Sequence, residues 1–341
     1  MTSLIINGVD LLRDSNTQNV LSFSGGKDSV AMYLLAMENG IDFIPVCADT
    51  GNEHEITLDY VRNFHLQTGG PEVRIITADF ADDMKRKRMF IARDHRPKKR
   101  RVIKRDASGN VLSKKVKVVR YTNKQKRRIL ENLHPSGNIF LDLCMIAGRF
   151  PSSIAAFCTE KLKRDPIIEQ IYFPLLDSGK IVVSWQGVRA EESARRAAYP
   201  IFDSPGGGLW NYRPIHQWKA ADTFQIMERH GVYPNPLYKM GQGRVGCMAC
   251  VNCKKEELHE ISIRFPPHIE KIRTWEVKVT LCSKKGIAAT FFHSSKVNNG
   301  KLNGIDAVIE WAATGKGGRT FDLFKSIDDG LSCSSAYGLC E

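Results

Sequence analysis

Two groups of residues in this 341-residue chain are suited to chemistry. The first is Ser24-Gly25-Gly26-Lys27-Asp28-Ser29. Adjacent glycines let backbone amides turn inward with no Cβ in the way, forming a nest for phosphate oxygens. A helix starting there adds the positive end of its dipole. Ser24 and Ser29 supply hydroxyls, and Lys27 supplies a compact cation. Asp28 and Asp49 are the nearest carboxylates able to hold a magnesium ion across the phosphates. The spacing is neither Gly-x-x-x-x-Gly-Lys nor the dinucleotide fingerprint. The plain alternative is a glycine-rich turn joining strand to helix.

The second group is sulfur. Cys247, Cys250 and Cys253 follow CxxCxxC spacing, Cys158 comes from elsewhere in the chain, and Cys333 and Cys340 lie in the tail. Such thiolates fit tetrahedral zinc or a [4Fe–4S] cluster. Six cysteines compete for four ligand places. The expected set is Cys247 and Cys250, completed from Cys158, Cys333 and Cys340, with Cys253 more replaceable. A thiolate left over is a nucleophile or a carrier of persulfide sulfur. Cys47, Cys144 and Cys282 sit in or beside apolar runs and are expected to pack. Nine cysteines are few for a disulfide framework and cannot all pair within one chain. A reduced, cytoplasmic protein is the expectation. No apolar run reaches the roughly 18 residues of a membrane span, and the opening MTSLIINGVDLLRDSN does not read as a secretory signal.

The elements that must position these groups alternate. Asn19 to Phe23 is a short apolar run leading into the glycine loop, and a helical pattern then runs to a stop at Asn39-Gly40. Phe43 to Asp49 reads as a buried strand, about Glu55 to Leu66 as a helix closing at Gly69-Gly70, and Val73 to Ile76 as a strand. This order predicts an α/β fold, a wound and mostly parallel sheet with helices on both faces. Further along, a helix over Pro166 to Leu176, a strand over Ile181 to Trp185 and a helix over Thr223 to His230 are expected. Beyond about Ile261 the pattern loosens. The expected organisation is an N-terminal arm over 1–18, a nucleotide-binding domain over 19–260 with a basic insert at about 82–130, and a small mixed appendage over 261–341 with a cysteine-bearing tail.

The formal net charge of +13 is concentrated. From Lys85 to Arg128 there are 20 Lys or Arg against two acids, so the segment carries +18 and the remainder −5. Val102-Ile103, Ser108-Gly109-Asn110 and Val116, Val118 and Val119 suggest a short basic hairpin around a Gly-Asn turn. Such cation density favours a polyanion, because each phosphate contact releases condensed counterions. A nucleic acid, DNA or tRNA, is therefore the expected partner of 85–128, with a solvated basic loop as the competing reading. No membrane partner is expected.

SGGKDS after a strand resembles the pyrophosphate loop of the ATP-pyrophosphatase (PP-loop) superfamily, which cleaves ATP between its α and β phosphates. Within it the chain resembles the phosphoadenosine phosphosulfate (PAPS) reductase family. The resemblance is carried by Cys158-Thr159-Glu160-Lys161-Leu162-Lys163 with Pro166, by Gly187-Val188-Arg189-Ala190-Glu191-Glu192-Ser193-Ala194-Arg195-Arg196, by Arg213-Pro214-Ile215-His216-Gln217-Trp218, by Asn235-Pro236-Leu237-Tyr238 and by Gly246-Cys247-Met248-Ala249-Cys250. The full loop is similar to that of ATP-consuming members such as sulfate adenylyltransferases and DNA phosphorothioation enzymes. The ending Tyr337-Gly338-Leu339-Cys340-Glu341 departs from the Glu-Cys-Gly-Leu-His motif of true reductases.

The resemblance implies ATP and Mg2+ at the loop, an iron–sulfur cluster in preference to zinc, and Lys27, Asp28 and Cys158 as catalytic residues. Gly187 and Arg189 would wrap the nucleotide. Arg189, Arg195 and Arg196 offer planar forks to phosphate, oriented by Glu192 and Ser193. The expected activity is adenylation of a substrate followed by sulfur transfer, with a sulfur donor such as a cysteine desulfurase. Reduction of PAPS or adenylyl sulfate to sulfite is the second reading, and a non-catalytic nucleic-acid-binding module the third.

Overall fold

The computed structural model describes residues 11–95, 98–106, 108, 110–119, 121–284, 288–292 and 304–315. Cys333 and Cys340 lie outside the described residues. The chain divides into two compact units. One comprises the described residues of Met1–Ala78, Ser152–Glu270 and Val308–Glu341, and the other Asp79–Pro151 with Lys271–Ala307.

The first unit is built on a six-stranded sheet. Its strands are β1 (Thr17–Ser22), β2 (Phe43–Asp49), β3 (Arg74–Thr77), β6 (Ile181–Trp185), β7 (Phe202–Gly206) and β8 (Leu209–Tyr212), in the order β3-β2-β1-β6-β8-β7. β1 pairs in parallel with β2 and β6, β2 with β3, and β6 with β8, while β7 runs antiparallel to β8. Successive residues of β1 serve opposite faces, as strand geometry requires. Leu21 joins a core with Val30, Leu34, Phe64, Ile226 and Met227, whereas Val20 joins Val46, Ile76, Ile171, Tyr172 and Val182. The first face is covered by helices α1 (Lys27–Glu38), α2 (Glu55–Thr68) and Ala220–Arg229, the second by the helical stretch 157–177. This is the wound α/β sheet expected from the alternating pattern. Inside it, Asn19 accepts from the Trp185 indole at 3.0 Å and donates to the carbonyls of Leu12 and Asp42.

The stretch 157–177 alternates α and π turns. The π turns Glu160–Arg164 and Ile168–Tyr172 each precede an α turn with proline at its start, Pro166 and Pro174. Proline has no amide and clashes with the carbonyl four residues back, and the wider π turn absorbs that conflict without ending the helix. The helix therefore begins before Pro166, not at it.

In the second unit, α3 (Ala81–Arg93) packs on α4 (Asn123–Asn132) and α5 (Ile139–Ala147). Between α3 and α4 lies an antiparallel ribbon of β4 (Lys98–Arg105) and β5 (Val111–Val119). Phe140 stacks on Trp275 at 5.3 Å, and Arg128 donates to the carbonyls of Leu281 and Ser283. The loosened pattern beyond Ile261 forms helices where it is described: Lys255–Arg264, Pro266–Cys282 and Gly304–Ala312. No described helix is long and apolar enough to cross a membrane.

Candidate active site

In this strand order the chain leaves β1 toward β2 and β3, then returns on the other side of β1 through β6. The crevice at the carboxyl ends of β1 and β6 is the topological switch point, where wound sheets bind ligands. Ser24–Ser29 follows β1 there and Gly187–Arg189 follows β6.

The loop is compact. Gly25 has φ +72°, and a Cβ on it would lie 3.0 Å from Val61 Cγ2. A Cβ on Gly26 would meet the Val245 carbonyl at 3.3 Å. Ser29 Oγ donates to the Gly26 carbonyl at 2.8 Å and accepts from the Ser24 amide at 3.1 Å, tying the turn to α1. The buried Tyr238 places its hydroxyl 2.8 Å from the Lys27 amide, which donates to it. One amide of the nest is thus held by a protein hydroxyl.

Lys27 is buried, with Nζ 3.5 Å from Asp28 Oδ2 and 5.8 Å from the Tyr238 ring centre. Arg189 Nε donates to Asp28 Oδ1 at 2.6 Å, and Arg189 Nη1 lies 3.1 Å from Glu191 Oε1. A Cβ on Gly187 would touch Asp28 Cβ at 3.4 Å and Met32 Cε at 3.2 Å. Gly187 is what lets the β6 loop close onto α1. The loop is braced by His216, whose carbonyl accepts from the Ala190 amide and whose Nε2 sits 2.9 Å from the Arg196 carbonyl. Glu192 pairs with Arg196 and accepts from the Arg189 amide, and Ser193 caps the short helix Ala194–Ala197. Arg196 is half-buried and Arg195 exposed. Arg213 is turned elsewhere, onto Asp203 and over the Tyr199 ring.

The thiols meet the carboxyl end of β2. The Met248 amide donates to the Asn52 carbonyl at 2.7 Å and Asn52 Nδ2 to the Ala249 carbonyl at 3.1 Å, seating the CxxC segment on the loop after β2. Cys247 Sγ lies 3.4 Å from Glu53 Oε1 and 3.4 Å from Thr50 Oγ1. Burial pushes the Cys247 thiol up to about 12, although Lys163 pulls it the other way. Lys163 is held above its ordinary range by Cys247, then by Glu53 and Cys250 against the cost of burial. Burial and then Cys250 raise the Cys158 thiol. Lys163 acts on the Cys158 and Cys247 thiols in the lowering direction and Cys250 in the raising one, against the dominant effect of burial. Cys253 is raised by burial and then by Glu257. Cys47, Cys144 and Cys282 are buried, as expected of packing residues. The Cys47 thiol is pushed up to about 12 by burial and then Glu53.

Soft thiolate chemistry suits zinc or iron–sulfur, and Cys158, Cys247 and Cys250 are the described residues that would hold such a centre. Among the described residues, no group of three or more His, Cys, Asp or Glu stands ready to enclose a metal ion. For magnesium the fit is poorer: Asp28 is engaged by two cations, and Asp49 Oδ1 accepts from the Gly51 amide at 2.8 Å.

The sequence set the glycine loop after one strand and Gly187–Arg189 after another, and in the fold they follow β1 and β6; it gave the CxxC pair no place relative to the sheet, and the fold seats it beside the loop after β2. It passed over Tyr238, Glu53 and Lys163 as site residues. Tyr238 and Lys163 lay inside quoted motifs, which was the available signal, whereas Glu53 carried none.

The model of the phosphoadenosine phosphosulfate reductase domain matches residues 18–253. A protein of Escherichia phage 186, described as an uncharacterized 37.8 kDa protein in the gpa 5′ region, is 41% identical over 340 residues, 96% of this chain and 97% of that one. The adenosine 5′-phosphosulfate reductase of Neisseria meningitidis serogroup B is 34% identical over 65 residues, 19% of this chain and 26% of its own length. Against the phosphoadenosine 5′-phosphosulfate reductase of Vibrio campbellii the figures are 35% over 66 residues, 19% and 25%. A crystal structure of the PAPS reductase of Candida auris, a phosphate complex, superposes with a TM-score of 0.37 at 14% identity, covering 70% of this chain and 83% of that one. With a glycine loop and thiols at the carboxyl ends of one mostly parallel sheet, and a domain match running from β1 through the CxxC segment, the chain belongs to the phosphoadenosine phosphosulfate reductase family.

Proposed function

We propose that this protein binds ATP at Ser24–Ser29, transfers the adenylyl group to an oxygen of a nucleic acid, and supports replacement of that adenylate by sulfur. Family membership supports a nucleotide-utilising, sulfur-related enzyme. The observation that carries the finer reading is the pair of buried cations Lys27 and Arg189 meeting the half-buried Asp28 beneath a complete glycine loop at the switch point. In the free protein Asp28 balances the two cations. A polyphosphate entering the loop would take over that role, with Lys27 and Arg189 turning to its oxygens. The Lys27 amide would exchange the Tyr238 hydroxyl for a phosphate oxygen.

Adenylation is written as attack of the acceptor oxygen on the α-phosphorus with loss of pyrophosphate, whose charge Lys27 and Arg189 neutralise. In the sulfur step, the terminal sulfur of a cysteine persulfide attacks the adenylated centre, a base carbon or a backbone phosphorus, and AMP leaves. A second thiolate then attacks the remaining sulfur–sulfur bond, releasing the product thiolate and leaving a protein disulfide that a dithiol reductant reopens. Cys158, Cys247 and Cys250 are the proposed thiols, with Lys163 stabilising thiolate among them. A sulfur-donor protein such as a cysteine desulfurase would load the persulfide. The acceptor would be recruited through the basic segment 85–128.

Product analysis with α-labelled and γ-labelled ATP, with and without duplex DNA or tRNA, tests this. The expected products are pyrophosphate and an α-labelled adenylated nucleic acid, with AMP released once a persulfide donor is added, all dependent on the nucleic acid and abolished by Lys27→Ala. Sulfite formation from a sulfonucleotide with a thioredoxin, without ATP cleavage, would replace this reading with the reductase one.

A further inference from the structure

The β4–β5 ribbon carries apolar side chains that water alone does not account for. Ile103 is 48%, Leu112 67% and Val116 61% exposed. The register sets Ile103 opposite Lys114 and Lys104 opposite Ser113. Side chains alternate between faces, so Lys114 and Val116 share the face of Ile103. Arg105 lies on that face too and is set opposite Val111 across a register shift that leaves Leu112 as the extra residue of a bulge. Ser113 and Lys115 share the other face with Lys104. Lys104, Arg105, Lys114 and Lys115 are all exposed. The Ile103 face thus presents apolar groups between cations, a pattern that marks an interaction surface.

Charge narrows the partner. A segment of 20 cations and two acids repels a second copy of itself, and lysines along open strand edges oppose strand-to-strand association. The partner is a polyanion with apolar groups between its charges. Shape narrows it further. Two strands about 4.8 Å apart, with side chains on both faces, match a B-form major groove roughly 12 Å wide. They are too broad for a minor groove of about 6 Å. The deep, narrow major groove of A-form RNA excludes side chains. The major groove also displays thymine methyl groups, which suit Ile103, Val111 and Val116.

We propose that the β4–β5 ribbon is a duplex-DNA element that seats in the major groove, with its cations on flanking phosphates and one apolar face toward the bases. This rests on the nucleic-acid part of the reading above and specifies its class.

The test is fluorescence anisotropy with the full-length protein and four probes: duplex DNA, the same duplex with glucosylated 5-hydroxymethylcytosine filling the major groove, duplex RNA and an anionic phospholipid vesicle. Binding to plain duplex DNA should be weakened at least roughly tenfold by the groove-filling sugar, and by a similar factor in Ile103→Thr/Val111→Thr/Val116→Thr, the fold-change of about one and a half kcal/mol of apolar burial removed. Replacing Lys104, Arg105, Lys114 and Lys115 by Ala should flatten the logarithmic salt slope by about 0.9 for each phosphate no longer neutralised. All of these side chains are exposed, and circular dichroism checks that folding is retained. Equal binding to plain and sugar-filled duplexes, or stronger binding to duplex RNA or vesicles, overturns the ribbon's role while leaving ATP cleavage to be judged by its own assay. Binding to none of the probes overturns both this inference and the nucleic-acid partner.

Discussion

Removing Arg189 isolates the electrostatic core of the site. The side chain of Arg189 is 4% exposed and that of Asp28 21%, and they meet at 2.6 Å. Unit charges about 4 Å apart attract by about 4 kcal/mol at an effective dielectric constant near 20, and the desolvation of a buried guanidinium offsets part of that. Because Asp28 keeps Lys27 at 3.5 Å, losing Arg189 does not leave the carboxylate alone. The expected cost of Arg189→Met is about 2–3 kcal/mol, below the roughly 3–5 kcal/mol of a fully stranded buried charge. Urea unfolding of the wild type, Arg189→Met, Asp28→Asn and the double variant forms a cycle. A coupling of about 2 kcal/mol is expected, with little dependence on salt because the pair is shielded from solvent. Coupling below about 0.5 kcal/mol, or coupling that vanishes at high salt, would refute the claim that this pair organises the crevice. The same four proteins titrated with ATP separate scaffold from function: Arg189→Met should lose phosphate affinity even where it remains folded.

Tyr238→Phe should cost about 1–2 kcal/mol by leaving the Lys27 amide without its hydroxyl, and thermal shift should show that deficit shrinking when ATP supplies an oxygen in its place. Gly25→Ala combines φ +72° with a 3.0 Å contact to Val61. It should destabilise by more than about 1 kcal/mol and abolish ATP binding in calorimetry. The thiols of Cys47 and Cys247 are raised from 9.0 to about 12 on folding, so the folded state holds their protons more tightly. Their contribution to stability is whole below pH 9 and declines as pH rises toward 12, and the unfolding midpoint should fall across that window less steeply in Cys47→Ala/Cys247→Ala. At pH 8, mass spectrometry should find both alkylated more slowly than the same cysteines in urea-unfolded protein.

Much of the sheet was legible because its signals are local. The apolar run from Asn19 to Phe23, the Asn39-Gly40 stop and the Gly69 cap with φ +67° each act within a few residues. The β7–β8 hairpin was not legible, since its turn is Gly207-Gly208 and its strand carries Ser204, Pro205 and Gly206, which read as loop. In α3 only Met84 and Ile91 are buried, so the charge density hid a helix held by contacts from outside its own segment, such as Arg88 on the carbonyls of Leu130 and Leu133. In the site, residues inside motifs were found and their partners were not. Lys27 meets Tyr238 across 211 positions and Cys247 meets Glu53 across 194. Such pairings follow from strand order, which no local pattern encodes. The second π turn of 157–177 was invisible for the same reason that its prolines were misleading: periodicity assumes uniform helical spacing.

Isothermal titration of ATP into the wild type and into Lys27→Ala, with inorganic pyrophosphate as competitor, bears most directly on the glycine loop as the nucleotide site. The expected result is saturable binding that pyrophosphate displaces and that Lys27→Ala weakens at least roughly tenfold, since one charge-assisted hydrogen bond to phosphate is removed. ATP binding that is unaffected by Lys27→Ala and indifferent to pyrophosphate would contradict the account.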